Sequence, residues 1–298
     1  MNTAVLRAGW EHLISDSTRF NGVTQIGSDE HKWRHKGFIT DQFVTIIVDL
    51  TPRKGNTGPA RLIDMIPGRS SEVLSTWLDR EQNAFKRDIK VVAMDGFTGY
   101  KTAIKNSLPN AACVLDPFHV IALIGDKLTH TRQRLQLETT RRRGRKTDLL
   151  YQTRKALLSR PTLLSEKSWK KVLGVITNPA FTQLNRIWQI YQRAIQAYEA
   201  KNPKWGKQIM NNLIQALTKE VTKGHKELAS LARTLKNRRN DILNYFDYHA
   251  SSNGPTKAIN TRLEHLRGIA LGFRNLENYI TRSLLHTGGF RTKIHAMS

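Results

Sequence analysis

The sequence predicts an α/β protein: a mixed sheet flanked by helices, with a large all-helical insertion. Between residues 21 and 140, β-branched runs give way to short apolar runs that alternate with helical patterns. From Arg141 to about residue 250 the apolar residues recur almost wholly at helical spacing. A third observation sets the partner class. Lys and Arg number 48 against 24 Asp and Glu, a net charge of +24 over 298 residues.

Taken in order, residues 1–20 read as a short helix with Val5, Leu6, Trp10 and Leu13 on one face. Val23 to Ser28 is strand-like and ends at Asp29 and Glu30. Phe43 to Leu50 is rich in β-branched residues and is stopped by Thr51-Pro52. Ala60 to Ile66 is a third strand, closed by Pro67-Gly68, and the loop Arg53 to Pro59 suits a hairpin connection. Ser70 to Phe85 follows as one helix, with Val73, Leu74, Trp77, Leu78 and Phe85 at helical spacing and Ser70-Ser71 as its cap.

Lys90 to Met94 and Ala111 to Leu115 are short, continuous apolar runs, as strands buried on both faces require. They end at Asp95-Gly96 and Asp116-Pro117, and helices over Thr98–Ser107 and Phe118–Thr140 follow them. Three strands followed by alternating helix and strand resemble the order of a ribonuclease H-like core.

The helical region carries three stripes: Phe181 to Tyr198, Ile209 to Leu217, and Leu228 to Phe246. The segment 251–254 breaks the pattern. Pro255 suits the first turn of a helix to about Arg267, and Gly268 to Leu285 reads as a terminal helical piece. The expected organisation is an N-terminal helix over 1–20, the first part of the core over 21–140, a helical insertion over 141–250, and helices over 251–298 that complete the core.

Composition narrows the function. A chain this basic is built to meet a polyanion, and DNA is the expected partner. No run of about 18 apolar residues is present, so no membrane partner is expected. Residues 1–10 lack the pattern of a secretory signal, and a cytoplasmic, nucleoid-associated location is expected. Cys113 is the only cysteine, so an intrachain disulfide and a cysteine zinc site are excluded. Its apolar surroundings read as those of a buried structural thiol.

Candidate chemistry lies at the strand ends. Asp29, Asp95 and Asp116 each follow an apolar run, and strand ends in an open sheet face a shared crevice. Carboxylates gathered there repel one another until a divalent cation relieves them. Hard oxygen ligands suit Mg2+ or Mn2+, and two ions about 3.5–4 Å apart support in-line phosphoryl transfer. The same aspartates also fit a plainer role as caps of the following helices, Asp116 before Pro117 best of all. His119, at the last strand-to-helix turn, fits a substrate-positioning or hydrogen-bonding role. His31 and His35 have no convincing zinc spacing. Trp33 and Tyr100 flank the aspartates and fit core packing better than base stacking.

The run Arg141-Arg142-Arg143-Gly144-Arg145-Lys146 places five positive charges in six residues. It reads as a phosphate-tracking segment or as a solvated linker. Lys236, Arg238 and Arg239 form a second basic cluster, equally suited to a solvated helix face.

Six segments carry a resemblance: GSDEHKWRHKG (27–37), VTIIVDLTP (44–52), VVAMDGFTGY (91–100), VLDPFHV (114–120), SNGPTKAIN (252–260) and RLEHLRGIALGFRNLENYI (262–280). In this order they resemble the ISL-three family of bacterial insertion-sequence transposases, over about residues 20–285. The resemblance implies a ribonuclease H-like core with a helical insertion. It also implies cutting and rejoining of DNA at element ends by an Asp-Asp-Glu triad with divalent metal. Matched by position, Asp29 is the first triad carboxylate and Asp95 the second.

The third position departs from the pattern. Where the family carries Glu three residues after Asn-Gly, this chain has Lys257. Lys257 brings a cation to the place of a metal ligand. Glu264, on a similar side of the same helix, is the alternative third carboxylate, but it lies about 10 Å further on, too far for simple replacement. The resemblance also leads one to expect a zinc ribbon and a helix-turn-helix ahead of the core, where this chain has only a short helix. Two functions follow: a metal-dependent transposase acting on element ends and target duplex, expected to assemble as a homo-oligomer on DNA, or a catalytically inactive remnant that only binds DNA.

Overall fold

The structure, a computed structural model, describes residues 3–34, 42–52, 60–95, 98–219, 225–248, 252–290 and 293–294. His35, the loop Arg53–Pro59 and Gly96 lie outside the described residues. The chain divides into two compact units, residues 1–116 with 250–298, and residues 117–249.

The first unit holds a five-stranded sheet in the order β3-β2-β1-β4-β5. Its strands are β1 (Gln25–Lys32), β2 (Phe43–Asp49), β3 (Arg61–Pro67), β4 (Val91–Met94) and β5 (Ala112–Leu115). Strands β1 to β3 are antiparallel neighbours, while β4 lies parallel to β1 and β5 parallel to β4. This mixed sheet with its many helices is the ribonuclease H-like arrangement that the element order suggests. The unit also contains α1 (Thr3–Gly9), α2 (Ser71–Arg80), α3 (Asn83–Asp88) and α4 (Thr98–Ser107). The second unit is helical: α5 (Pro117–Thr140), α6 (Leu149–Gln152), α7 (Glu166–Ile176), α8 (Thr182–Glu199), α9 (Pro203–Lys219), α10 (Lys226–Asn237) and α11 (Arg239–Asp247). Back in the first unit, α12 (Gly254–Ile269) and α13 (Leu276–Thr287) follow.

Side chains alternate across a strand, so the sheet builds two cores. One holds Ile26, Ile47, Val92, Met94 and Cys113 with Leu74, Trp77 and Leu78 of α2 and Tyr100 and Ile104 of α4. The other holds Val44, Ile46, Val48 and Met65 with Ile259 and Leu263 of α12 and Tyr279 and Leu284 of α13. Each core removes several large apolar side chains from water, at about 1.5–3 kcal/mol apiece. Tyr100 and Trp33 are both buried, and Tyr100 shares a 3.1 Å hydrogen bond with Thr45. Both therefore serve the core.

Four local readings need correction. Strand β1 does not stop at Ser28. It runs on to Lys32, because β2 keeps pairing with it through Asp29–Ile46 and Lys32–Phe43. The span 70–85 is two helices, broken at Glu81 and Gln82, although Ser70 caps the first by accepting from the Val73 amide at 3.3 Å. Near the N-terminus Leu13 is buried but Val5 and Trp10 are exposed; α1 gives way to a wider π turn over Trp10–Ile14, which shifts the buried face. The third helical stripe spans α10 and α11, with the break at Arg238.

In the helical unit, Leu184, Ile187 and Tyr191 of α8, Ile214 and Leu217 of α9, and Leu228, Leu231 and Leu235 of α10 are buried, as their spacing suggests. Among the described residues, no helix is long and apolar enough to cross a membrane.

Candidate functional site at the sheet edge

The last β1–β4 pair is Gly27 with Ala93. Asp29 and Asp95 each stand two residues beyond it. By strand alternation both fall on the face opposite Ile26 and Met94, the face that α12 covers. Asp29 is thus mid-strand toward β2 but at the strand end toward β4. The sheet opens there because β4 stops.

Helix α12 is seated by a close approach. A Cβ on Gly27 would collide with the Thr256 hydroxyl and lie 2.7 Å from the Asn253 side-chain oxygen. Asn253 is fully buried and donates through Nδ2 to the Ser28 carbonyl at 3.2 Å. Pro255 occupies the first turn of α12, where its missing N–H costs nothing. The helix therefore enters at the strand edge, and its next inward positions, Lys257 and Asn260, meet the aspartates.

Asn260 Nδ2 donates to Asp29 Oδ2 at 2.9 Å, and the Glu30 amide donates to Asp29 Oδ1 at 2.9 Å. Burial pushes the Asp29 carboxyl up to about 6; the Asp95 charge adds to this, while the Glu30 amide and the Lys257 ammonium oppose it. Lys257 Nζ lies 3.2 Å from Oδ2 of the buried Asp116. The site therefore brings Lys257 to Asp116 and within electrostatic reach of Asp29, which also feels the charge of Asp95. Asp116 is more than a helix cap, since it anchors the ammonium.

Divalent metal is what the family resemblance implies, and the donor set allows a test of fit. Oxygen donors are present, but the Lys257 ammonium already holds the Asp116 carboxylate. Among the described residues, no group of three or more His, Cys, Asp or Glu can hold a metal ion. Lys257 thus brings a positive charge beside the oxygen donors, and this charge opposes the binding of a cation there. Glu264 is largely exposed and ion-paired with Arg267, and its charge is felt by His31 and Tyr279. His31 is buried, bonds the Tyr279 hydroxyl through Nε2 at 2.6 Å, and is pulled down to about 4 by burial. It is a core histidine.

In the helical unit, the basic run is folded. Arg142 pairs with Asp148 at 2.7 Å, and the Arg145 amide donates to the same carboxylate at 2.6 Å. Arg141 and Gly144 take positive φ to make the turn. Arg143 instead lines a hollow of about 720 Å³ with Arg132, Arg134, Tyr151 and Arg154. Lys146 is exposed. The second basic cluster is mostly internal: Arg238 is buried against Asp241, and Arg239 donates to Asn211 at 2.6 and 2.9 Å. Lys236 alone of the three is fully on the surface. His119 sits in the first turn of α5, edge-on to Phe118.

Asn253 and Asn260 are site residues that the residue-by-residue reading passed over. Asn260 was legible from spacing, since Lys257 and Asn260 are three apart and hence on one face of a helix.

The ISL3-type DDE family model described as Transposase matches residues 26–283. The transposase for insertion sequence element IS1557 of Mycobacterium tuberculosis is 24% identical over 309 residues, which cover 97% of this chain and 65% of that protein. The transposase for insertion sequence element IS1001 of Bordetella parapertussis is 24% identical over 257 residues, 83% of this chain and 57% of that protein. The chain thus spans well under the full length of both relatives. With its mixed sheet, its paired strand-edge aspartates and this match over most of its length, the chain belongs to the ISL3 family of transposases.

Proposed function

We propose that this chain acts on DNA as the core of an ISL3-type transposase, and that in its present sequence it binds DNA without cutting it. The observation that carries this reading is the Lys257–Asp116 ion pair beside Asp29 and Asp95. The net charge of +24 and the arginine-lined hollow of the helical unit support DNA as the partner. Element ends and target duplex are the DNA classes the family implies, with a homo-oligomer as the assembly that would bring two ends together. Arg143 and Lys146 serve as backbone contacts in this reading, while Arg142 and Arg145 shape the turn that presents them.

One observation favours a second reading, metal-dependent phosphodiester cleavage with Asp29 and Asp95. The Asp29 carboxyl is raised and feels the charge of Asp95, an arrangement that a divalent cation relieves. The two readings separate in one assay. Element-end DNA is incubated with Mg2+ or Mn2+ and either the unchanged protein or Lys257→Glu. The proposal expects salt-sensitive binding by both proteins and no cleavage by the unchanged one. Cleavage by the unchanged protein, abolished by Asp29→Asn, establishes the second reading instead.

A further inference from the structure

The C-terminal end of α12 carries a second feature that the carboxylate site does not use. A crevice of about 620 Å³ lies between the end of β1 and the α12–α13 turn. Its walls include Trp33, Arg34, Arg267, Leu271, Phe273 and Arg274, and among the described residues none of its lining is acidic. The volume lies in the range of small-molecule sites, about 300–1,000 Å³.

The arginines are laid on aromatic faces. The Arg34 guanidinium sits 5.0 Å from the Trp33 ring centre, and that of Arg282 sits 5.3 Å from Phe273. Arg267 is held by Glu264, yet its Nε, like that of Arg34, has no acceptor among the described residues. Buried donors without acceptors are uncommon in folded proteins, and an anion is the group that satisfies them.

The turn itself is built to hold an apolar side chain outward. The Leu271 amide donates to the Gly268 carbonyl at 3.0 Å, and the Gly272 amide to the Arg267 carbonyl at 2.9 Å. Leu271 has φ +52 and is 97% exposed, and Ile269 beside it is 70% exposed. A leucine at positive φ is disfavoured and here gains no burial in return. From Lys257 to Arg267 along α12 is about 15 Å. That is four or five steps of a duplex at about 3.4 Å each.

We propose that this crevice is a subsite for an unpaired nucleotide of a DNA strand that runs along α12. Guanidinium groups of Arg34, Arg267 and Arg274 take its phosphate, the Phe273 side of the crevice takes its base, and Leu271 wedges between the neighbouring stacked bases. The inference rests on the DNA-binding reading above and adds to it a preference for distorted DNA.

The test compares a fully paired short duplex with the same duplex carrying one unpaired fluorescent adenine analogue. The unchanged protein should bind the second about tenfold more tightly, the equivalent of one stacked base. Leu271→Ser and Arg274→Gln, both at exposed positions, should leave the melting temperature unchanged while losing most of that preference. Equal affinity for the two DNAs, with salt-sensitive binding intact, overturns the subsite and leaves the DNA-binding reading standing. Failure to bind either DNA overturns that reading itself. Polyaspartate competing as well as DNA for the crevice, with the same loss in both variants, also overturns the proposal, since it would make the site one for acidic peptide.

Discussion

Lys257 Nζ lies 3.2 Å from Asp116 Oδ2, and the charge of the same ammonium is felt by the Asp29 carboxyl. The tethered ammonium offsets part of the negative charge gathered there. Asp116 is 3% exposed whereas the Lys257 side chain is 37% exposed, so the pair is worth less than a fully buried one. Lys257→Ala should lower unfolding free energy by about 1–2 kcal/mol, because it strands a buried carboxylate. Urea titration measures this, and an unchanged midpoint would show that the pair is not holding the cluster.

The seating of α12 gives an independent prediction. Gly27→Ala forces a methyl group against Thr256 and Asn253. Overpacking of this kind costs about 1–3 kcal/mol. It should also move α12 away from Asp29, breaking the Asn260 contact. Chemical denaturation reads the first effect. Amide exchange at the start of α12 reads the second, and protection there should fall.

Strands β4 and β5 were legible to within one residue, because a strand buried on both faces announces itself as an unbroken apolar run. The polar half of β1 was not. Gly27 to Lys32 reads as a strand terminus and a loop, and only pairing with β2 makes it strand. The break between α2 and α3 was hidden because Phe85 keeps the helical period across it. Strand-end spacing grouped Asp29, Asp95 and Asp116, and the family resemblance added Lys257. It did not show that Lys257 meets Asp116, since the two are far apart in the chain and only the fold joins them.

His31 makes stability depend on pH. Its folded value is depressed to about 4 by burial, against an ordinary 6.5. The unfolded state therefore binds more protons between those values, and stability falls as pH falls through that window. The loss attributable to His31 is about 3 kcal/mol at most. His31→Gln should flatten the pH–stability curve between about pH 6.5 and 4 relative to the unchanged protein. Parallel curves would contradict the assignment of His31 as a neutral core group.

DNA affinity should fall by orders of magnitude between about 50 and 200 mM salt. Arg143→Ala should weaken binding and reduce the log–log salt slope by about one. Arg142→Ala should leave the slope nearly unchanged, because Arg142 is engaged with Asp148. A filter-binding series over salt separates these outcomes. Equal effects of both substitutions would mean that the basic run acts as an unstructured whole.

Lys257, beside Asp116 and Asp29, should exclude metal from the carboxylate site. Titration of Mn2+ followed by electron paramagnetic resonance tests it without requiring any DNA substrate. The unchanged protein should leave the free Mn2+ signal undiminished, and Lys257→Glu should deplete it in a manner lost on adding Asp29→Asn. Depletion of the signal by the unchanged protein, abolished by Asp29→Asn, would contradict the account.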